Sequence, residues 1–98
     1  MKKAAEVLAE YGVDYKAYII SAHRAGALLK QTVEQVEKDG CQVIIAGAGL
    51  AAALPGVIAG ITTLPVIGVP LECVSEKSNG LGGMDALLSI VQMPPQIP

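Results

Sequence analysis

Val43-Ile44-Ile45-Ala46-Gly47-Ala48-Gly49-Leu50-Ala51-Ala52 reads as a strand running into a glycine-rich turn and the start of a helix. The strand, at residues 42–46, is short and continuously apolar, as expected where both faces of a sheet are covered. Working outward, the alternation repeats. Upstream, Ala4, Val7, Leu8 and Tyr11 mark one face of a helix that Gly12 stops, and residues 15–20 read as a strand. Ala25, Leu28, Leu29, Thr32, Val33 and Val36 then form a second helical face, with Lys30, Glu34 and Lys38 on its polar side and Gly40 at its end. Downstream, the pattern predicts a helix over 50–60, a strand over 64–69 and a helix over 84–91. Strands alternating with helices predict an α/β chain with a parallel sheet, a three-layer α/β/α sandwich. The one long loop, 72–83, carries Ser75, Ser78, Asn79 and three glycines, and loops of that length are usually functional or mobile.

Ninety-eight residues bound the chain to one small domain, 1–98, and half of them are apolar, far from the composition of a disordered segment. Without Trp or Phe, the core must be built from Ile, Val, Leu and Ala. A net charge of -2 with seven scattered Lys and Arg argues against a nucleic-acid surface. Cys41 and Cys73 lack metal-ligand spacing and read as reduced thiols of a reducing, cytoplasmic compartment. Residues 43–71 hold no charge, but Gly47, Gly49, Pro55, Gly56, Gly60, Pro65, Gly68 and Pro70 would interrupt any spanning helix, so no membrane partner is expected. Lys2 and Lys3 lead into an amphipathic helix rather than the apolar core of a signal peptide.

The only histidine, His23, follows the apolar run Tyr18-Ile19-Ile20 inside Ser21-Ala22-His23-Arg24. In an open α/β sheet, ligands bind outside the carboxyl ends of the strands, where a hydroxyl, an imidazole and a guanidinium can converge on an anion. Imidazole also gives and takes protons near neutrality. Position alone leaves a structural or merely exposed histidine as the commoner case. Gly47-x-Gly49-x-x-Ala52, with Glu72 about 20 residues further on, also fits a dinucleotide-binding fingerprint. Against that reading, Pro55-Gly56 falls where the fingerprint helix should run on, and Ser21 to Arg24 stay unexplained.

Five blocks carry a resemblance: Ser21-Ala22-His23-Arg24, Ile44-Ile45-Ala46-Gly47-Ala48-Gly49, Leu54-Pro55-Gly56, Leu64-Pro65-Val66-Ile67-Gly68-Val69-Pro70 and Leu87-Leu88-Ser89-Ile90-Val91-Gln92-Met93-Pro94. In order and spacing they resemble the class I 5-(carboxyamino)imidazole ribonucleotide mutases of purine biosynthesis, across almost the whole chain. Arginine after the histidine looks like the bacterial mutase; the related carboxylases, which use free carbon dioxide, typically have lysine there. The resemblance implies a flavodoxin-like domain assembled as a homo-octamer, with no metal or organic cofactor and a small ribonucleotide as substrate. It implies that His23 is the catalytic proton carrier, that Arg24 holds the phosphate, and that Ser21 lies near the reacting carboxylate. Ala22, Ala48 and Gly49 would wall a dry pocket that keeps carbon dioxide from escaping, and Leu50 would join them in binding the substrate.

The sequence departs from the family at Leu50, where a second glycine is usual, and at Ala53, where a site histidine is usual. The family's opening strand, its serine and aspartate loop and its closing elements have no counterpart, so the expectation is an incomplete mutase domain, silent on its own. Two other expectations stand beside the mutase: a dinucleotide-binding oxidoreductase fragment, and a truncated subunit that assembles without catalysing.

Overall fold

Glycine helix stops are where the sequence pattern and the backbone agree most closely. In the computed structural model, which describes residues 1–73, 79–95 and 97, helix α1 spans Lys2–Glu10 and helix α2 spans Gly26–Lys38. Gly12 and Gly40 follow them at φ +67° and +86°. Each helix closes in the same way. Gly12 N–H donates to Ala9 O at 3.0 Å and Val13 N–H to Leu8 O at 2.8 Å, while Gly40 donates to Glu37 O at 3.0 Å and Cys41 to Val36 O at 2.9 Å. That paired pattern needs a left-handed residue, which glycine adopts without steric cost.

Strand β1 is Ile44–Gly49, helix α3 is Leu54–Ala59, strand β2 is Val66–Leu71 and helix α4 is Met84–Val91. The two strands pair in parallel, with Ile44 opposite Val66, Ala46 opposite Gly68 and Gly49 opposite Leu71. Both strands therefore extend past their expected ends. Gly47, Gly49 and Pro70 read as turn residues in isolation, but the ladder runs through them. The third helix starts later than expected, at Leu54, with Pro55 in its first turn, where a missing N–H costs nothing. Helix α4 has its expected bounds. Of the expected 72–83 loop, Ser75 and Ser78 lie outside the described residues.

The strand expected at 15–20 is a correction. These residues belong to no ladder among the described residues, and Ile19 is fully exposed. Aromatic and β-branched residues favour a strand only when a neighbouring strand takes up their backbone groups. The segment is instead fastened from its side chains: Lys16 Nζ lies 3.0 Å from Asp39 Oδ2, and Gln35 Nε2 donates to Asp39 Oδ1 at 2.8 Å. The Lys16 hydrogen bond, with that from Gln35, holds the Asp39 carboxyl below its usual 3.8, and the same contact holds Lys16 above its usual 10.5.

Alternation along the strands sorts the layers. Ile44, Ala46 and Ala48 share one face with Val66 and Gly68. Leu29 and Val33 of α2 and Ile58 of α3 bury against Ala46, with Ile20 and Ala22 beside them. Ala86 and Ile90 of α4 bury with Ala52, against Ala48. The absence of a side chain at Gly68 lets two helices come close, because a Cβ there would lie 2.7 Å from Ile90 Cγ2 and 3.3 Å from Pro55 Cβ. On the opposite face, Met1 at the head of α1 lies against Gly47, and Ile67 is 52% exposed. Among the described residues the architecture is α/β, a parallel two-stranded sheet with helices α2, α3 and α4 packed on one face.

Candidate active site

The Ser21-Ala22-His23-Arg24 segment is a tight turn into α2. Ala25 N–H donates to Ser21 O at 2.9 Å, and Leu29 N–H donates to Ala25 O at 2.9 Å, so the turn merges with the helix. Ala22 anchors it against the core, leaving Ser21, His23 and Arg24 exposed. Among the described residues, neither the His23 nor the Arg24 side chain has a hydrogen-bond or ion-pair partner. Both are therefore available to a ligand.

His23 lines an open recess of about 400 Å³. Its floor is Ala51, Ala52 and Ala53, the segment between β1 and α3. The end of α4 and the residues just beyond that helix, Leu88, Ser89, Gln92 and Met93, complete its lining. The Ser89 hydroxyl donates to Asp85 O at 2.7 Å. A larger recess of about 670 Å³, lined by Thr62, Thr63 and Leu64 among others, has no titratable side chain in its lining among the described residues. The first recess thus has a titratable side chain in its lining.

Of the site residues expected from sequence, His23 alone lines the recess. Ala48 is packed against the α4 core, and Gly49 is closed over by Cys73, whose Sγ a Cβ at that glycine would overlap. Leu50 carries the left-handed conformation, φ +55°, and reaches toward Gly80. Ser21, Ala22 and Arg24 adjoin His23 in the chain without lining the cavity. Sequence reasoning missed Ser89 and Gln92. Their block was legible as part of the family pattern, but nothing in its spacing tied it to a histidine far upstream.

The dinucleotide reading fails on local geometry. Its fingerprint requires a helix to open at the glycine turn so that the pyrophosphate meets free amides. Here residues 50–53 are outside any helix, and Ala52 N–H donates back to Leu50 O at 2.9 Å. Among the described residues, no cluster of three His, Cys, Asp or Glu side chains could hold a metal ion, and no helix is long and apolar enough to cross a membrane.

The family model for AIR carboxylase matches residues 1–98, the whole chain. The chain belongs to the AIR carboxylase family. Its similarity to family members is high: it is 51% identical over 98 residues to the N5-carboxyaminoimidazole ribonucleotide mutase of Saccharolobus solfataricus, covering all of this chain and 59% of that protein. Proteins of the same name from Pyrococcus abyssi and Thermotoga maritima are 55% and 52% identical over 98 residues, with 53% and 54% of their lengths covered. The chain thus spans little more than half the length of the AIR carboxylase relatives it matches. Ala53 lines the recess, and Leu50 precedes that lining segment in the chain.

Proposed function

We propose that the protein is an N5-carboxyaminoimidazole ribonucleotide mutase of purine biosynthesis, moving a carboxyl group from the exocyclic nitrogen of an aminoimidazole ribonucleotide to the adjacent ring carbon. The observation that carries the reading is that the chain's only histidine lines the recess, in a chain that the family matches from end to end. The N–C bond breaks to release carbon dioxide, and the nitrogen takes a proton. The ring carbon then forms a C–C bond to the same carbon dioxide and gives up its own proton. A single imidazole balances both transfers, donating one proton and recovering one.

Arg24, exposed beside His23, holds the ribonucleotide phosphate as a charge-assisted fork, and Ser21 supplies a hydroxyl near the reacting carboxylate. The apolar side chains that line the recess, Ala51, Ala52, Ala53 and Leu88, limit water near the trapped carbon dioxide, with Ala22, Ala48, Gly49 and Leu50 adjoining them in the chain or the core rather than lining it. No cofactor takes part in this scheme. The protein works as a cytoplasmic homo-octamer, a reading supported by the apolar side chains it leaves exposed, Val7, Tyr11, Ile19 and Ile67 among them.

The test is carboxyl retention. Substrate labelled in its carboxyl carbon, turned over in unlabelled bicarbonate, should give fully labelled product. Product that loses the label to the bicarbonate pool would make the protein a carboxylase using free carbon dioxide, and no product at all would remove it from this chemistry.

A further inference from the structure

We propose that Gln92 recognises the exocyclic amine of the aminoimidazole ribonucleotide in the His23 recess, its side-chain carbonyl accepting the amine N–H. The inference rests on the proposed function and assigns a substrate contact within that site.

Among the described residues, three polar side chains line the recess: His23, Ser89 and Gln92. The Ser89 hydroxyl already donates its proton to Asp85 O, and His23 is reserved for proton transfer. Gln92 remains, with a carboxamide that has no side-chain partner among the described residues. Its backbone is fixed at the end of α4, where its N–H donates to Leu88 O at 3.0 Å. The next residue is held as well, since Met93 Cε lies 3.2 Å from where a Cβ on Gly56 would stand. Only the side chain is left to adapt to a ligand.

Helix polarity sets which end of the ligand faces Gln92. His23 lies just ahead of Ala25, the N-terminal cap of the 13-residue α2, whereas Gln92 caps the C-terminus of α4. The positive end of one helix and the negative end of the other therefore both border the recess, one beside His23 and the other at Gln92. An anionic carboxylate is favoured on the His23 side and an amine donor on the Gln92 side. An aminoimidazole carboxylate carries both groups on neighbouring atoms, so one orientation satisfies both ends. An acceptor in line with the amine N–H also keeps that nitrogen in the ring plane, where its lone pair feeds the carbon that attacks carbon dioxide.

The experiment is a protein–ligand cycle with the protein expressed from its complete reading frame. Binding is measured for 4-carboxy-5-aminoimidazole ribonucleotide and for the same nucleotide lacking the 5-amino group. Gln92→Met should weaken the first by about tenfold, the size of one lost hydrogen bond, and leave the second unchanged. Gln92→Glu, which keeps a carbonyl acceptor, should retain the preference for the amine. Equal losses for both nucleotides in Gln92→Met, or a wild-type protein indifferent to the amine, would overturn the assignment while leaving the proposed function standing. A wild-type protein that binds neither nucleotide would overturn both.

Discussion

Gly68→Ala is the substitution whose effect the structure fixes most tightly. A Cβ there meets Ile90 Cγ2 at 2.7 Å and Pro55 Cβ at 3.3 Å, against ordinary carbon contacts of about 3.5–4.0 Å. Either α4 retreats from the sheet by about 1 Å or Ile90 leaves its rotamer, and overpacking of this kind costs about 1–3 kcal/mol. Against that cost, replacing glycine stiffens the unfolded chain and returns about 0.4–1 kcal/mol. The net expectation is a loss of about 1–2 kcal/mol, or a melting temperature lower by roughly 5–15 °C for a domain of this size. Urea titration with a constant slope is the assay, since a shift in midpoint alone reads stability. Gly26→Ala is the control. No atom lies within 4 Å of a Cβ at Gly26 in the first turn of α2, so that change should stabilise the chain by about 0.4–1 kcal/mol. Ile90→Ala should couple to Gly68→Ala, because the added methyl then fills part of the space the isoleucine leaves, and the double variant should be more stable than the sum of the two losses. A Gly68→Ala protein as stable as the wild type, or strict additivity with Ile90→Ala, would refute the close approach of α4 to β2.

At Leu50, with φ +55°, Leu50→Asn should be at least as stable as the wild type, because Asn tolerates the left-handed region, whereas the β-branched Leu50→Val should lose about 1–2 kcal/mol in the same urea assay. The Lys16–Asp39 pair should impose a pH window. Asp39 is held below its usual range, so its contribution is present above that range and fades as pH falls through its folded value, while Lys16, held above its usual range, contributes until pH rises through its own folded value. The stability gap between wild type and Asp39→Asn should therefore be small but measurable near neutral pH and vanish in acid, as urea midpoints across pH would show; both groups are exposed, so a gap that grows in acid would contradict the pairing.

Local chemistry made the helices legible. Gly12 and Gly40 terminate α1 and α2 because their backbone requires positive φ, and the apolar spacing of Leu29 and Val33 marks the face that α2 buries. The strands were legible as existing elements but not in extent, since Gly47, Gly49 and Pro70 look like turn residues until a parallel partner takes up their backbone groups. Residues 15–20 show the converse, a strand-like composition without a partner in the ladder. At the site, His23 stood out as a lone imidazole after an apolar run, whereas the wall it faces did not. Ser89 and Gln92 meet it only because Ala52, Ala86 and Ile90 pack α4 against the segment after β1, a tertiary contact that no local spacing encodes.

In the proposed function, His23 carries the proton in carboxyl migration. The most direct test is turnover of N5-carboxyaminoimidazole ribonucleotide by the protein expressed from its complete reading frame, with His23 intact and with His23→Asn, alongside ribonucleotide binding by both. Asparagine keeps the size and hydrogen bonding of the side chain but cannot donate and recover a proton. Turnover should fall by at least ~100-fold while binding is largely kept. Near-normal turnover in His23→Asn would contradict the account.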